Sequence, residues 1–496
     1  MTVPIVSVLT VLGYIIVCLA IGYYAYKRTG ETVAEYFVAG RKLGSLIMVA
    51  TMVATYISAF LVTGIMGFFY THGLVYGPTN FLWNVLAGIF LWVFGSRIWV
   101  VGKAYGHITP GDMFGEYYES KFLRLVVALM GAVFILPHFF IQLMAAGYAF
   151  QAIGKVPFAW GSLIILVVIV VYVWLGGMRG VAWTDALQGL VAFSLITVFV
   201  IWILVKMGGW NAMFSKVAEM SPARMTDPGP KGIFSFHGLV LPLWFYYGVG
   251  AVFQPFLWMR LYGASSLRAI RNTAIFTSIF TFYASWVVMF LALGVIVLLP
   301  DLKGIQADQG LMLLSAKFAP YFAVVLLLAT AAAAFSTGDT IVFTASTIVS
   351  RDLYQKLINP EATQKMVVFV GKIAVLAFAI AGYYFAFRKP GYIIDISMLT
   401  WGTCSMFIWP AIGCFFWKRG TRAGAISCLI VGLLTMFAVY FGWFGIKKFA
   451  LGFHFCFWGV MTSAATYFVV SAFTSPPRQE TIEKYHGLIE RSGYSS

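Results

Sequence analysis

The chain has 496 residues, 61% of them hydrophobic and 10% charged, with 33 Lys and Arg against 17 Asp and Glu for a net charge of +16. Soluble domains are about 45–50% apolar and about 25% charged, so this composition excludes a soluble enzyme, a disordered chain and a secreted disulfide scaffold. It leaves an all-α polytopic membrane protein, in which the positive charge reads as basic loops on one side of a bilayer and not as nucleic-acid binding.

A span needs about 20 apolar residues. Runs of that kind are predicted at 4–26, 45–70, 78–98, 123–153, 157–176, 182–206, 234–258, 272–299, 318–349, 367–386, 392–416, 422–443 and 449–473, thirteen in all. The first run has no basic segment ahead of it and is long enough to span, so it reads as a helix and not as a cleaved leader. Residues 1–44 hold this extra helix and a loop, and 45–206 form a first block of five spans. Residues 207–233, with Pro, Gly, Lys and Asp, read as an external loop, and 234–416 form a second block of five. Two further helices fill 417–474, and 475–496 read as a short polar tail. Twenty-two of the 33 basic residues, Arg260 among them, fall in one set of loops, which places the N-terminus outside and the C-terminus in the cytoplasm. On this reading no Lys or Arg lies mid-span in the core. The five cysteines show no CxxC spacing and read as buried hydrophobes.

Two spans are interrupted. The second carries Gly64 and Gly67 in ATYISAFLVTGIMG, and the seventh carries Gly248, Gly250 and Pro255 in YYGVGAVFQP. Broken helices in matching positions of two halves point to a transporter binding site. Here they head two blocks of five, an odd number, as an inverted repeat requires. Intramembrane acids are expensive and mark function. Asp185 opens the sixth span in GGMRGVAWTDALQG, and Asp339 lies within the ninth in AAAAFSTGDTIVFTAS. There Ser336, Thr337, Asp339 and Thr340 cluster behind a run of alanines. Their hydroxyls are hard oxygen ligands suited to an alkali cation. Ser336 and Thr337 could equally bond back to their own helix, and Asp185 could serve as a helix cap. His138 and Gln142, four apart on the fourth span, share a face that could reach the cavity.

The segments GGMRGVAWTDALQG, EYFVAGRKLG (35–44), ATYISA (54–59), FQPFLWMR (253–260), AFSTGDTIVFTASTIVSRDLY (334–354) and FFWKRGTRAGAIS (415–427) together resemble the sodium:solute symporter family. The resemblance implies a leucine-transporter-like 5+5 inverted repeat with one preceding helix, alternating access and sodium-driven uptake. It implies a sodium site made by the carbonyls of Ala54, Ile57 and Ala333 with the hydroxyls of Ser336 and Thr337. It places a second cation, as in some members, at Asp185, Asp339 and Thr340, where Asp339 departs from the family's usual Ser and could bind a proton instead. It implies substrate contacts from Ser58, Leu61, Gly64, Asn80, Trp83, Tyr247 and Gln254.

Phe60 and Leu61 stand where sugar-transporting members carry long polar side chains, and Tyr56 stands near the Asp of proline-transporting ones. ATYISA and LGFH (451–454) resemble the pantothenate and short-monocarboxylate branch, so a carboxylate is expected, held by half-helix dipoles and a nearby sodium ion. A proline or other amino-acid symporter is the alternative. A membrane haem enzyme would need several intramembrane His ligands, and a transporter-fold sensor would need a signalling domain. The expected partners are the solute, Na+ as coupling ion and the bilayer. No nucleic acid and no further cofactor are called for, and a monomer or loose dimer is expected.

Overall fold

Local chemistry sets where the helices start. Thr109, Ser120, Ser266, Thr363 and Thr421 each precede a helix and accept, on the side-chain oxygen, the amide three residues on. That satisfies one of the donors a helix N-terminus leaves open. The computed structural model describes residues 2–30, 32–230, 232, 248–389 and 393–493. These form helices and loops, with one isolated parallel bridge between Leu43 and Ala264.

Among the described residues, ten helices are long and apolar enough to cross a membrane, eleven with the bent pair Ser45–Tyr56 and Leu61–His72 counted as one span. Two of the thirteen expected spans are not counted separately there. The fifth and sixth expected spans run together as Phe158–Met207, bent at Gly177 (φ 54°), where an added Cβ would sit 2.7 Å from the Tyr36 carbonyl. Only glycine adopts that conformation at so close an approach. The expected seventh span, 234–258, falls mostly outside the described residues, and what is described begins at Gly248.

The innermost element is Pro320–Ile348, every residue of which from Ala329 onward is buried. It packs against Phe158–Met207, Leu136–Ala149 and Ser45–Tyr56. Its alanines permit that approach, since in lipid small residues let helices pack closely. Peripheral helices show large apolar side chains outward, such as Ile16, Val205 and Phe473, as a lipid-facing surface requires.

Three regions differ from expectation. The 207–233 loop contains a helix, Trp210–Met220, that buries Met213 and Val217. The tail is docked. Ile482, Tyr485, His486 and Ile489 are buried, and their spacing puts them on one helical face. Tyr105 donates to the Lys484 carbonyl at 2.6 Å, and His486 Nε2 lies 2.9 Å from the Gly413 carbonyl. The third region is the surroundings of Arg260, taken up below. All five cysteines are free and buried.

Candidate functional site

Both expected breaks are present. The first helix half, Ser45–Tyr56, ends at Ile57, whose ψ of 64° leaves the helical region. The chain resumes as a π-helical turn over Leu61–Ile65 and then as Met66–His72, bent by 45° from the first half. The second break falls at Gln254 (ψ 123°), between Gly248–Phe253 and Pro255–Gly263. Pro255 lacks the N–H that would continue the ladder, so the break belongs before it.

Unwound backbone inside a membrane needs partners from elsewhere. At the first break they come from two other helices. Ser336 Oγ donates to the Ala54 carbonyl at 3.1 Å, and Thr337 Oγ1 donates to the Thr55 carbonyl at 3.1 Å. Ser336 Oγ is also 3.2 Å from the Ala333 carbonyl. The Gln142 side chain accepts the Ala59 amide at 3.1 Å and donates to the His138 carbonyl at 3.2 Å. Gly189 backs Ala54 so closely that an added Cβ would lie 2.7 Å from the alanine Cβ. Of the five residues expected to bind sodium, Ala54, Ala333, Ser336 and Thr337 therefore converge. Ile57 follows at the break and lines the adjoining cavity. The Thr55 carbonyl joins them without having been anticipated. The set is neutral oxygen throughout, the donor chemistry an alkali cation takes where half-helices are unwound.

Asp185, Asp339 and Thr340 also meet, but around a guanidinium. Asp185 Oδ2 accepts from Thr51 Oγ1 at 2.5 Å and from Arg260 Nη2 at 2.7 Å. Arg260 Nη2 also contacts Thr340 Oγ1, and its Nε donates to Thr51 Oγ1 at 2.9 Å. Asp339 Oδ2 accepts from Tyr172 at 2.6 Å, and Oδ1 from Thr340 at 3.0 Å. Arg260 is fully buried, which corrects both its assignment to a loop and the reading that no basic residue lies in the core. The signal was present in the sequence: Arg260 sits in FLWMRLYG, whose other residues are all buried as well. A base flanked by apolar residues on both sides needs a buried acid, and Asp185 is that acid. Two carboxyl groups here share one guanidinium.

A cavity opens beside the first break. Of the residues expected to contact substrate, Ser58, Leu61 and Trp83 line it. Asn80 stands behind the wall and accepts the Trp83 indole N–H at 2.9 Å. Gly64 gives room to the packing around it, since an added Cβ would meet the Phe60 ring at 2.4 Å and Ile393 at 2.8 Å. Gln254 is buried at the second break, with both polar atoms of its side chain lacking a hydrogen-bond partner. Tyr247 lies outside the described residues. The lining also includes Tyr56, Phe60, His138, Phe256 and Trp401, of which Phe256 and Trp401 were not anticipated. These rings lie on several helices, and no single segment marks them.

A second buried ion cluster lies at the end of the molecule that carries the tail. Asp112 Oδ1 accepts from Arg124 at 2.7 Å and Oδ2 from Arg351 at 3.1 Å. Asp352 Oδ1 accepts from Thr109 at 2.9 Å and lies 3.3 Å from Arg124. Burial raises the Asp112 carboxyl, but the Arg351 and Arg124 guanidinium groups outweigh it and hold the group well below the usual carboxylate range. Two acids here meet two bases.

The sequence pattern described as the sodium:solute symporter family matches residues 36–432. The high-affinity proline transporter of Bacillus subtilis (strain 168) is 27% identical over 489 residues, covering 94% of this chain and 98% of its own. The sodium/pantothenate symporter of Escherichia coli (strain K12) is 26% identical over 437 residues, covering 86% and 88%. Among solved structures, the substrate-bound outward-open state of a Na+-coupled sialic acid symporter superposes with a TM-score of 0.81 at 18% identity, covering 96% of this chain and 99% of that one. That likeness carries the fold, a leucine-transporter-like helical bundle.

Proposed function

The chain belongs to the sodium:solute symporter family, and from that premise we propose that it imports a small carboxylate solute, such as pantothenate or a short monocarboxylate, by sodium-driven alternating access. The observation that carries this reading is the pairing of the Ser336 and Thr337 hydroxyls with the carbonyls of Ala54 and Thr55. A cation held there bridges the broken helix and Pro320–Ile348. Its binding favours the arrangement in which those elements are together, and that differential affinity is what couples an ion to a conformational equilibrium. The solute sits beside the same break, so the two bind as a unit. In this reading the protein is a carrier and not an enzyme. It lies in a bacterial or archaeal cytoplasmic membrane with the N-terminus outside.

The second carboxyl group in the cluster of Asp185, Asp339 and Arg260 supports a second cation, or a proton, taken up there with Thr340 as a further ligand. Asp339→Asn removes that carboxyl group. It is expected to lower the number of charges moved per solute by one, read as a shift in reversal potential; an unchanged reversal potential would exclude the second site.

The deciding experiment is uptake into proteoliposomes under an inward sodium gradient. Pantothenate, acetate, pyruvate, lactate, proline, sialic acid and glucose are offered in parallel. Concentrative, sodium-dependent accumulation of a carboxylate supports the reading. Accumulation of proline alone favours the second reading, an amino-acid symporter, which the similarity to the proline transporter keeps open.

A further inference from the structure

The cavity beside the first break is walled largely by rings, with the hydroxyl and amide side chains of Thr55, Ser58, Tyr76, Asn84, Thr281 and Ser285 also in its lining. Phe60, Trp83, Phe256 and Trp401 supply the walls, and among the described residues no Lys, Arg, Asp or Glu lines it. Of the ring residues in the lining that carry a polar atom, two bear on recognition of a solute's charge. The first is Tyr56, the last residue of the helix before the break. Its hydroxyl is buried and has no hydrogen-bond partner. The second is His138, which packing holds in place. Its ring lies parallel to Phe256 (interplanar 3°, centroids 6.1 Å apart), edge-on to Trp401 (88°, 6.2 Å) and steeply inclined to Phe60 (69°, 5.9 Å). His138 Nδ1 is 3.5 Å from the Ser397 hydroxyl. With Ser397 donating, the ring hydrogen is on Nε2, and the imidazole becomes a neutral donor.

These features narrow the solute. A buried phenol without a partner costs about 1–3 kcal/mol, so a ligand that supplies an acceptor recovers it. An ammonium would find no carboxylate in the lining and would face the positive charge of the sodium ion. A monocarboxylate meets the site on every count. Its charged end takes the two donors, its apolar body takes the rings, and its charge lies close to the cation. Tyr56 directly follows Ala54 and Thr55, whose carbonyls face the sodium hydroxyls, so a carboxylate on Tyr56 stands beside the ion.

We propose that Tyr56 and His138 form the clamp for the carboxylate, each donating one hydrogen bond to a small monocarboxylate whose apolar body lies among Phe60, Trp83 and Trp401. This rests on the carboxylate reading above and deepens it by assigning the groups that recognise the charge. The full-length protein is reconstituted, and sodium-driven uptake of labelled pyruvate and labelled pantothenate is measured against concentration, with methyl pyruvate as an uncharged competitor. Tyr56→Phe and His138→Phe are each expected to raise the half-saturating concentration of the accumulated solute about tenfold or more, the scale of a lost hydrogen bond to a charged group. His138→Gln, which keeps an N–H donor, is expected to fall between wild type and His138→Phe, and methyl pyruvate is expected not to compete. Sodium binding measured without solute should change less than about twofold in each variant, which also shows that the variants are folded. Wild-type half-saturation in both Phe variants, or a loss of sodium affinity as large as the loss for solute, overturns the clamp. Wild-type protein that accumulates neither carboxylate overturns the carboxylate reading itself, a different and separately visible failure.

Discussion

Two buried guanidinium clusters invite comparison. Near the tail, Arg124 and Arg351 meet Asp112 and Asp352, so the charges balance. In the core, Arg260 alone meets Asp185, with Asp339 one hydroxyl away through Thr340. Both have short contacts and buried carboxylates, which make an ion pair costly to break from one side. They differ in what remains after pairing. A balanced cluster needs nothing further and acts as a rivet between the Pro110–Tyr117 helix, the start of the fourth span and the end of the ninth. The core cluster has one more carboxyl group than it has guanidinium groups, and on the proposed reading that carboxyl takes up a cation or a proton. Burial alone therefore does not separate structural from functional charges; the local sum does.

That contrast can be broken most directly at the two arginines. Arg124→Ala and Arg260→Ala should each destabilise the protein by about 3–5 kcal/mol, because each strands a buried carboxylate. Thermal unfolding of detergent-solubilised protein measures this. Sodium should raise the unfolding temperature of Arg260→Ala more than that of Arg124→Ala, since a cation can substitute only in the core cluster. Equal responses would end the distinction. At the neutral site, Ser336→Ala and Thr337→Ala should each raise the half-saturating sodium concentration about five- to tenfold, equivalent to about 1–1.5 kcal/mol. Unaltered sodium dependence in both would remove the cation from that position.

Acid sharpens the comparison from the other side. The Asp112 carboxyl is held below its ordinary value by Arg351 and Arg124. Its contribution to stability is thus complete above the unfolded pKa of about 4 and is lost as pH falls through the folded one. The part of the unfolding temperature due to Asp112 should be flat from neutral pH to about pH 5 and decline below about pH 4, whereas burial pushes the neighbouring Asp352 carboxyl up to about 7, so its part should grow as pH falls through that value. A decline centred near neutrality would point to a different group. The smallest effect is expected where the tail is pinned by exposed pairs. Glu119 accepts from Arg478 at 2.9 Å and from Thr481 at 2.6 Å, and burial is slight. Glu119→Ala should cost no more than about 1 kcal/mol, whereas Tyr485→Ala, which empties a buried aromatic position, should cost several times more.

Much of this was legible in the residues. Apolar runs and caps give the spans, because a backbone in lipid has few options besides a helix. Pro255 and the glycines around it mark the second break. The Ser336–Thr337 pair behind an alanine run marks the oxygen site, since small residues and hydroxyls in a membrane helix announce a close partner. Arg260 was misread because basic residues are ordinarily topological markers, and its acid partner Asp185 lies 75 positions away in the chain. The tail was misread because its apolar face is only two helical turns long and sits amid charges.

The sequence by itself determined the environment, the helical class, the two breaks and the identity of the oxygen-bearing residues, all of which follow from local composition and from the demands of a hydrocarbon solvent. Tertiary structure decided which of these meet. It put the Thr55 carbonyl beside the Thr337 hydroxyl and Arg260 against Asp185 and Thr340. It docked the tail, and it drew Tyr56, His138 and four rings around one cavity. Those are encounters between residues far apart in the chain, set by helix packing in three dimensions, and no spacing along the sequence encodes them.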